Sequence, residues 1–412
     1  MSVAEAEAAP RAGEDPRPAA RRTLVVAGLA HALHDGYTDV IYVLLPVWQV
    51  ELGLGYGRLA TLRGLYAGAM ALLQMPAGKL ASRFGGRAVL ACGTAVAALG
   101  YALAGAAGGL LGLSAALALA GAGGSTQHPI GSSSVSRAYG LAARGPLGLY
   151  NFSGDIGKAA VPAAISVVLV ATSWRFAVWS LAGLGLAIAA AIAALMPVLP
   201  PEDLRTVSPS RTEDEGKEKP AGGFGLLLAI GMLDTAARMG LLTFLPFLLL
   251  GKGASLSTVG LGLALVFIGG AAGKAACGWL GARFGLLRTV LLTEGGTAAL
   301  ILAVLALPLL PALAVLPLLG TMLNGTSSVL YGTVPELRAG TRAESSAFAL
   351  FYTGVIGSGA IAPVGFGVLG DAAGSGWATV ATAATALATI PLASLLAPRS
   401  GPATTSRTSA GR

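Results

Sequence analysis

The sequence predicts an all-α integral membrane protein, with twelve transmembrane helices folded as two pseudo-symmetric six-helix bundles, and three observations predict it. The first is composition: of 412 residues 54% are hydrophobic, 11% are charged and 60 are glycine. An ordinary soluble chain carries about 25% charged residues and roughly 7% Gly. So little polar surface cannot cover a soluble protein of this length, which argues against a cytosolic enzyme, a secreted globule and a disordered chain. The second is length. Setting aside three polar segments leaves room for about twelve spans of ~23 residues joined by short connections. The third is an internal repeat at a shift of 200 residues.

The elements follow in order. Residues 1–22 mix Glu5, Glu7, Glu14 and Asp15 with arginines and lack an apolar core of their own, the composition of a disordered cytoplasmic tail. The first bundle, 23–197, is expected to hold spans at 24–48, 58–78, 88–107, 110–137, 146–170 and 175–197. Residues 198–221, with Pro200, Pro201 and the mixed-charge run RTEDEGKEK, form a cytoplasmic linker. The second bundle, 222–397, is expected at 224–250, 256–278, 288–307, 311–337, 345–369 and 377–397, followed by a cytoplasmic tail, 398–412. Alanine and glycine within the spans suit close helix approach. A β-barrel is excluded, because no alternating strands of about ten residues occur.

The basic residues set the orientation. With both termini inside, twenty of the 27 Lys and Arg fall in cytoplasmic segments and three, Arg58, Arg175 and Lys252, fall in outer loops. That bias places a multi-pass protein in the cell (inner) membrane with both ends cytoplasmic. The net charge of +8 is then a topology signal and no sign of nucleic acid. Cys92 and Cys277 lie in spans of opposite halves, which indicates neither a disulfide framework nor a metal site.

The repeat has landmarks. GKLASRFGGR at 78–87 aligns with GWLGARFGLL at 278–287, sharing Gly78/Gly278, Arg83/Arg283 and Gly85/Gly285 among others. Leu45-Pro46 aligns with Leu245-Pro246, and Gly154-x-Ile156-Gly157 with Gly354-x-Ile356-Gly357. Two halves of equal sense are the layout of transporters that bind substrate near the bilayer midplane.

These residues carry a family resemblance. GKLASRFGGR resembles the signature loop between the second and third helices of the major facilitator superfamily. HALHDGYTDVIYVLLPVWQVELGLGY in the first helix, LLQMPAGKL, and TQHPIGSSSVSRA with the following Arg-Gly resemble its fosmidomycin-resistance-like branch. The resemblance covers nearly the whole chain. It implies the major facilitator fold, a central site, and cytoplasmic gating loops at Gly78, Arg83, Gly85 and Arg87 and at Gly278, Arg283 and Gly285. The family's signature Asp, which helps lock the two halves, is Ser82 here and Ala282 in the second copy.

Charge buried in hydrocarbon costs ~2.5–3.5 kcal/mol per group on insertion scales, so each case asks for a role or a partner. His31, Asp35, Thr38 and Tyr42 form one stripe of the first helix, flanked by His34 and Asp39. Asp35 lies ~18 Å along its span, near mid-membrane. Two carboxylates one turn apart resist simultaneous ionisation, which suits Asp35 and Asp39, with His34, to proton coupling; a structural hydrogen-bonding cluster would use the same residues.

Asp155 with Lys158, and Asp234 with Arg238, are spaced to neutralise themselves, leaving the first helix with the unpaired deep carboxylates. Alternatively Lys158 and Arg238 attract an anionic group. Pro129 should loosen the fourth span and expose Gln127 and His128 to substrate; the polar stretch at Asn324 is its counterpart. His31, Tyr42, Asn151, Asp155 and Asp234 complete the candidate substrate-binding set. Arg63 and Lys274 are expected to snorkel, and Glu294 to pair with a loop arginine near the cytoplasmic end.

No phosphate-binding loop, nucleophile elbow or metal-ligand spacing is present. The expected function is therefore secondary active transport rather than an enzymatic reaction. It needs no cofactor beyond a proton gradient, and its partners are protons, a small-molecule substrate and the lipid bilayer, with the chain acting as a monomer. The resemblance implies proton-coupled export of a small drug-like or anionic molecule. Proton-symport uptake of a small organic anion, or a non-transporting receptor, would use the same residues.

Overall fold

Apolar runs and in-helix prolines at matched places determine the architecture, seen in a computed structural model that describes residues 18–198, 223–326, 330 and 344–396. Apart from their edges, the two expected tails and the linker lie outside these residues, as do Ser328, Arg338 and Arg342. The described elements are helices: α1 (Pro18–Leu52), α2 (Tyr56–Phe84), α3 (Gly86–Ala106), α4 (Leu110–Gly124), α5 (Gln127–Tyr139), α6 (Arg144–Ala171), α7 (Trp174–Leu195), α8 (Phe224–Gly251), α9 (Leu256–Ala306), α10 (Leu309–Leu323), α11 (Glu344–Ala373) and α12 (Ser375–Leu396). The fourth expected span is the broken pair α4–α5. The eighth and ninth run together as α9 through a kink at Gly285.

The chain is a multi-pass membrane protein. Eight helical segments, among them α3, α6, α7, α8 and both arms of α9, are long and apolar enough to cross a bilayer. Large apolar side chains that face outward, such as Val170 on α6, Ile361 on α11 and Trp377 on α12, fit a lipid-facing surface. α1 is absent from the eight despite its 35 residues. The reason is chemical: its buried face carries His31, His34, Asp35 and Asp39 in place of aliphatic side chains.

Contacts group the chain into two compact units. The first takes residues up to 209 except 55–60, together with 254–264; the second takes the rest. In the first unit α1 packs most extensively on α6, and Val26, Val89, Leu90, Ile130 and Ile192 form an apolar core. In the second, Phe224, Leu227, Val290, Phe351 and Leu396 do so. Also in the second unit, the Asp371 carboxylate accepts hydrogen bonds from the backbone N–H groups of Tyr56 (2.5 Å) and Gly57 (3.0 Å), capping the start of α2.

The repeat extends further than its sequence landmarks. Pro46 and Pro246 sit inside α1 and α8, and Gly53 and Gly253, which follow those helices, both take positive φ (60° and 84°). Gly85 (φ 86°) and Gly285 (φ 76°) mark the two signature loops, in conformations that only glycine adopts at low cost. Beside them Arg83 lies over the Phe84 ring at 5.3 Å and Arg283 over Phe284 at 5.9 Å. Arg87 donates to the Met196 carbonyl at the end of α7 (3.4 Å). Ser82, in the place of the signature Asp, donates to the carbonyl of Lys79 in its own helix (2.8 Å).

We expect Gly85→Ala and Gly285→Ala each to destabilise the protein by about 1–3 kcal/mol, the usual cost of forcing a side chain into such backbone. Gly78→Ala, in a helical position with open space around it, should be neutral. Thermal unfolding of the three variants in detergent checks this.

Two of the three basic residues expected in outer loops have structural work. Arg175 pairs with Glu51 at 2.9 Å and donates to the Ala107 carbonyl after α3. Lys252 donates to the carbonyls of Leu305 and Leu307 at the end of α9. Cations at helix C-termini are favourable in both cases.

Candidate functional site

Glycine determines how closely α6 approaches α1, and so what α1 can bury. A Cβ on Gly157 would lie 1.9 Å from the Ala32 carbonyl oxygen, and one on Gly154 would lie 2.5 Å from the Asp35 carboxylate. Gly36 of α1 meets Val161 of α6 in the same way. Ser153 donates to the Gly28 carbonyl across the seam (2.9 Å). With the backbones this close, side chains from α6 and α5 reach the polar stripe of α1.

The centre of the cluster is Asp35, which is 5% exposed. Lys158 Nζ lies 3.2 Å from one carboxylate oxygen, His31 Nε2 lies 3.5 Å from the same oxygen, and His128 Nε2 lies 3.9 Å from the other. His31 is held twice by Tyr150: its Nδ1 is 2.9 Å from the Tyr150 carbonyl, and its ring stacks on the tyrosine at 4.2 Å. His128 meets His31 and His34 edge-on at 5.3 and 5.1 Å. Three imidazoles, a carboxylate and an ammonium thus meet, with His31, His34 and Asp35 buried and His128 and Lys158 half-buried.

His31, Asp35 and His128 offer ligand-type atoms within 4.8 Å of one another. Spacing along the sequence hides that juxtaposition, since His128 comes from another helix. The Lys158 ammonium lies 3.2 Å from the Asp35 carboxylate of that set.

This arrangement corrects the pairing expected from spacing. Lys158 is closer to Asp35 of α1 (3.2 Å) than to Asp155 one turn away (4.0 Å). Asp35 is therefore an ion-paired carboxylate, and the first helix is not the place of unpaired ones. Arg63 does not snorkel: it is 4% exposed, with its guanidinium 5.4 Å from the centre of the buried Tyr42 ring. Asp39 is buried in α1 as well.

The helix break foreseen at Pro129 falls at Ser125–Thr126, where the Ser125 and Thr126 hydroxyls turn back to the carbonyls of Ala122 and Gly123. Gln127, at the start of α5, is 2% exposed. Gln127 and His34 line one small cavity with Tyr37, Thr94 and Thr126, and the Nε2 atom of each has no hydrogen-bond partner among the described residues. Asn151 is exposed and does not join the buried group.

A second cluster lies in the second unit. Arg238 reaches Asp234 at 4.0 Å, the side-chain oxygen of Asn324 at 3.4 Å and the Thr235 hydroxyl at 3.3 Å. Glu294 was expected near the cytoplasmic end beside a loop arginine. It is instead 2% exposed, accepts from the Thr326 hydroxyl at 2.5 Å and is hydrogen-bonded to Asp234. Among the sequence-expected residues the structure thus unites His31, His34, Asp35, Gln127, His128, Asp155 and Lys158 in one unit, and Asp234, Arg238 and Asn324 in the other. Tyr150, Glu294 and Thr326 are additions. Glu294 left a signal as an acid in an apolar run, and Thr326 as part of the polar stretch at Asn324; Tyr150 left none.

Comparison with known proteins bears on the fold. Residues 27–226 match the family model of the Major Facilitator Superfamily. None of the curated protein sequences matches the chain. Among solved structures, a bacterial homolog of the human lysosomal transporter Spinster, inward-facing and occupied, superimposes with a TM-score of 0.75 at 15% identity, covering 93% of this chain and 98% of that one. Its unoccupied form gives 0.74 at 16% identity over 94% and 100% of the two chains. A variant of the nucleoside transporter NupG gives 0.74 at 12% identity over 92% and 99%. The fold is the twelve-helix fold of these transporters.

Proposed function

We propose that this chain is a member of the major facilitator superfamily and a secondary active transporter working by alternating access. It couples proton movement to export of a small drug-like or anionic molecule. It needs no cofactor, draws on a proton gradient and works as a monomer in the inner membrane with both termini cytoplasmic. The observation that carries this reading is the pairing of buried Asp35 with half-buried Lys158, with His31 and His128 near the carboxylate. A proton on Asp35 cancels its charge and frees the ammonium, so protonation and ligand binding alter each other's free energies. Coupling also requires that each ligand favour one conformational state.

The same pair favours a second reading, uptake of a small organic anion by proton symport. An anion that takes Lys158 leaves Asp35 without its counter-ion, so anion and proton bind best together. A ligand that takes Asp35 instead competes with the proton, as exchange requires.

Proteoliposomes holding the purified protein test both. With a pH gradient imposed, radiolabelled phosphonate and lipophilic-cation probes should move only while the gradient lasts. Probe flow opposite to the protons assigns exchange, and flow with them assigns symport. Equal probe movement with and without the gradient would overturn proton coupling.

A further inference from the structure

The 200-residue shift relates the two buried clusters position by position. His34, Thr94 and Thr126, which line the small cavity of the first unit, correspond to Asp234, Glu294 and Thr326 in the second. One ancestral site has therefore been filled differently in the two halves. The first holds an imidazole and two hydroxyls around a cavity with unpartnered polar atoms. In the second, a carboxyl from α8 and a carboxyl from α9 meet, and the retained threonine bonds one of them.

Among the described residues, the charges at the second site can be counted element by element. α8 contributes Asp234 and Arg238, and the second arm of α9 contributes Glu294. Arg288 on that arm is exposed. The first arm of α9 brings the Cys277 thiol, which a Cβ on Gly325 would meet at 2.3 Å, beside Thr293; Lys274 on the same arm is exposed. α10 brings no ionisable group and Asn324, which follows it, is neutral. Residues 345–370 of α11 and 376–396 of α12 contain no Asp, Glu, Lys, Arg or His, and Tyr352 of α11 is exposed.

Asp234 and Glu294 are thus two acids facing one guanidinium. Fully ionised, they would leave a net negative charge among groups that are 4% and 2% exposed. They would also place two anions in hydrogen-bond contact, with no hydrogen to form the bond. One proton between them resolves both, giving a neutral trio and a carboxyl–carboxylate hydrogen bond. Thr326, which can donate only one hydrogen, places it on Glu294.

We propose that Asp234 and Glu294 form a proton-binding site in the second unit, holding one shared proton against Arg238. Glu294 is its added member, and Thr326 is a positioning residue. The use of this proton in transport rests on the proton-coupled reading above; its presence does not.

Infrared difference spectroscopy of the full-length protein in lipid, before and after exchange into deuterated buffer, tests it. The wild type should show the carbonyl-stretch band of a buried protonated carboxylic acid. Glu294→Gln, whose amide keeps a hydrogen to offer Asp234, should lose that band, while Asp35→Asn should keep it. Thr326→Val retains both acids and should shift the band in frequency, which guards against a Glu294 variant that fails to fold. No band in the wild type, an unchanged band in Glu294→Gln, or no shift in Thr326→Val would each overturn the shared proton. Wild-type vesicles without gradient-driven flux but with the band would overturn proton coupling and leave the site standing.

Discussion

Asp35→Asn is expected to reduce gradient-driven flux to the background of empty vesicles and to destabilise the protein by about 3 kcal/mol. That figure is the lower end of the range for removing one partner of a buried ion pair. The lower end applies because Lys158 keeps 31% of its side chain exposed and can hydrate once released. The loss of flux has a separate cause, since an amide at this position accepts no proton at any accessible pH. The two effects part in a double variant. Asp35→Asn combined with Lys158→Gln removes both charges and should recover most of the lost stability, as buried pairs replaced together commonly do, yet remain without flux. Thermal unfolding in detergent reads the first quantity and proteoliposome transport the second. Full gradient-driven transport by Asp35→Asn would remove Asp35 as the proton carrier.

The second large effect involves no polar atom. Gly157→Ala should destabilise the first unit by about 1–3 kcal/mol, the usual cost of overpacking. The new methyl would stand 1.9 Å from the Ala32 carbonyl oxygen and 2.7 Å from the Ala32 Cα, and backbone atoms have no rotamer into which to retreat. α1 and α6 must separate, and the 3.2 Å contact between Lys158 and Asp35 widens with them. Flux should fall although every charged residue is intact. The repeat supplies the control: Gly357, the counterpart of Gly157, has nothing within 4 Å of its added carbon. Gly357→Ala should therefore be neutral, or more stable by up to about 1 kcal/mol through helix propensity. Equal stability of Gly157→Ala and Gly357→Ala would show that the seam tolerates a methyl and would remove this account of the site's geometry.

Those two glycines show what could be read from the sequence and what could not. Their motif, G-x-I-G in each half, is visible in one dimension and identifies the duplication. So do Pro46 and Pro246, and the loop glycines whose backbone demands no side chain. The break before Pro129 was equally legible, because a missing N–H is a local defect. Spacing along one helix, however, reports only intrahelical neighbours. It found Asp155 for Lys158 and missed Asp35, because that partner depends on how closely two helices approach. Arg63 was misread for the same reason: the Tyr42 ring that covers it lies on another helix. Glu294 was seen as an acid but assigned to the wrong surroundings, since Asp234 and Thr326 meet it from distant segments.

The break in the fourth span gives the first cluster a mechanical property. α4 ends at Gly124 and α5 starts at Gln127; Ser125 and Thr126 between them keep helical φ and ψ, and His128 follows on the α5 side. Its Nε2 is 3.9 Å from the Asp35 carboxylate, just beyond hydrogen-bond reach, whereas the Lys158 contact is already made. A shift of α5 that shortened or lengthened this gap would change which groups attend Asp35, and because α5 packs on both α1 and α6 it would be felt at their seam as well.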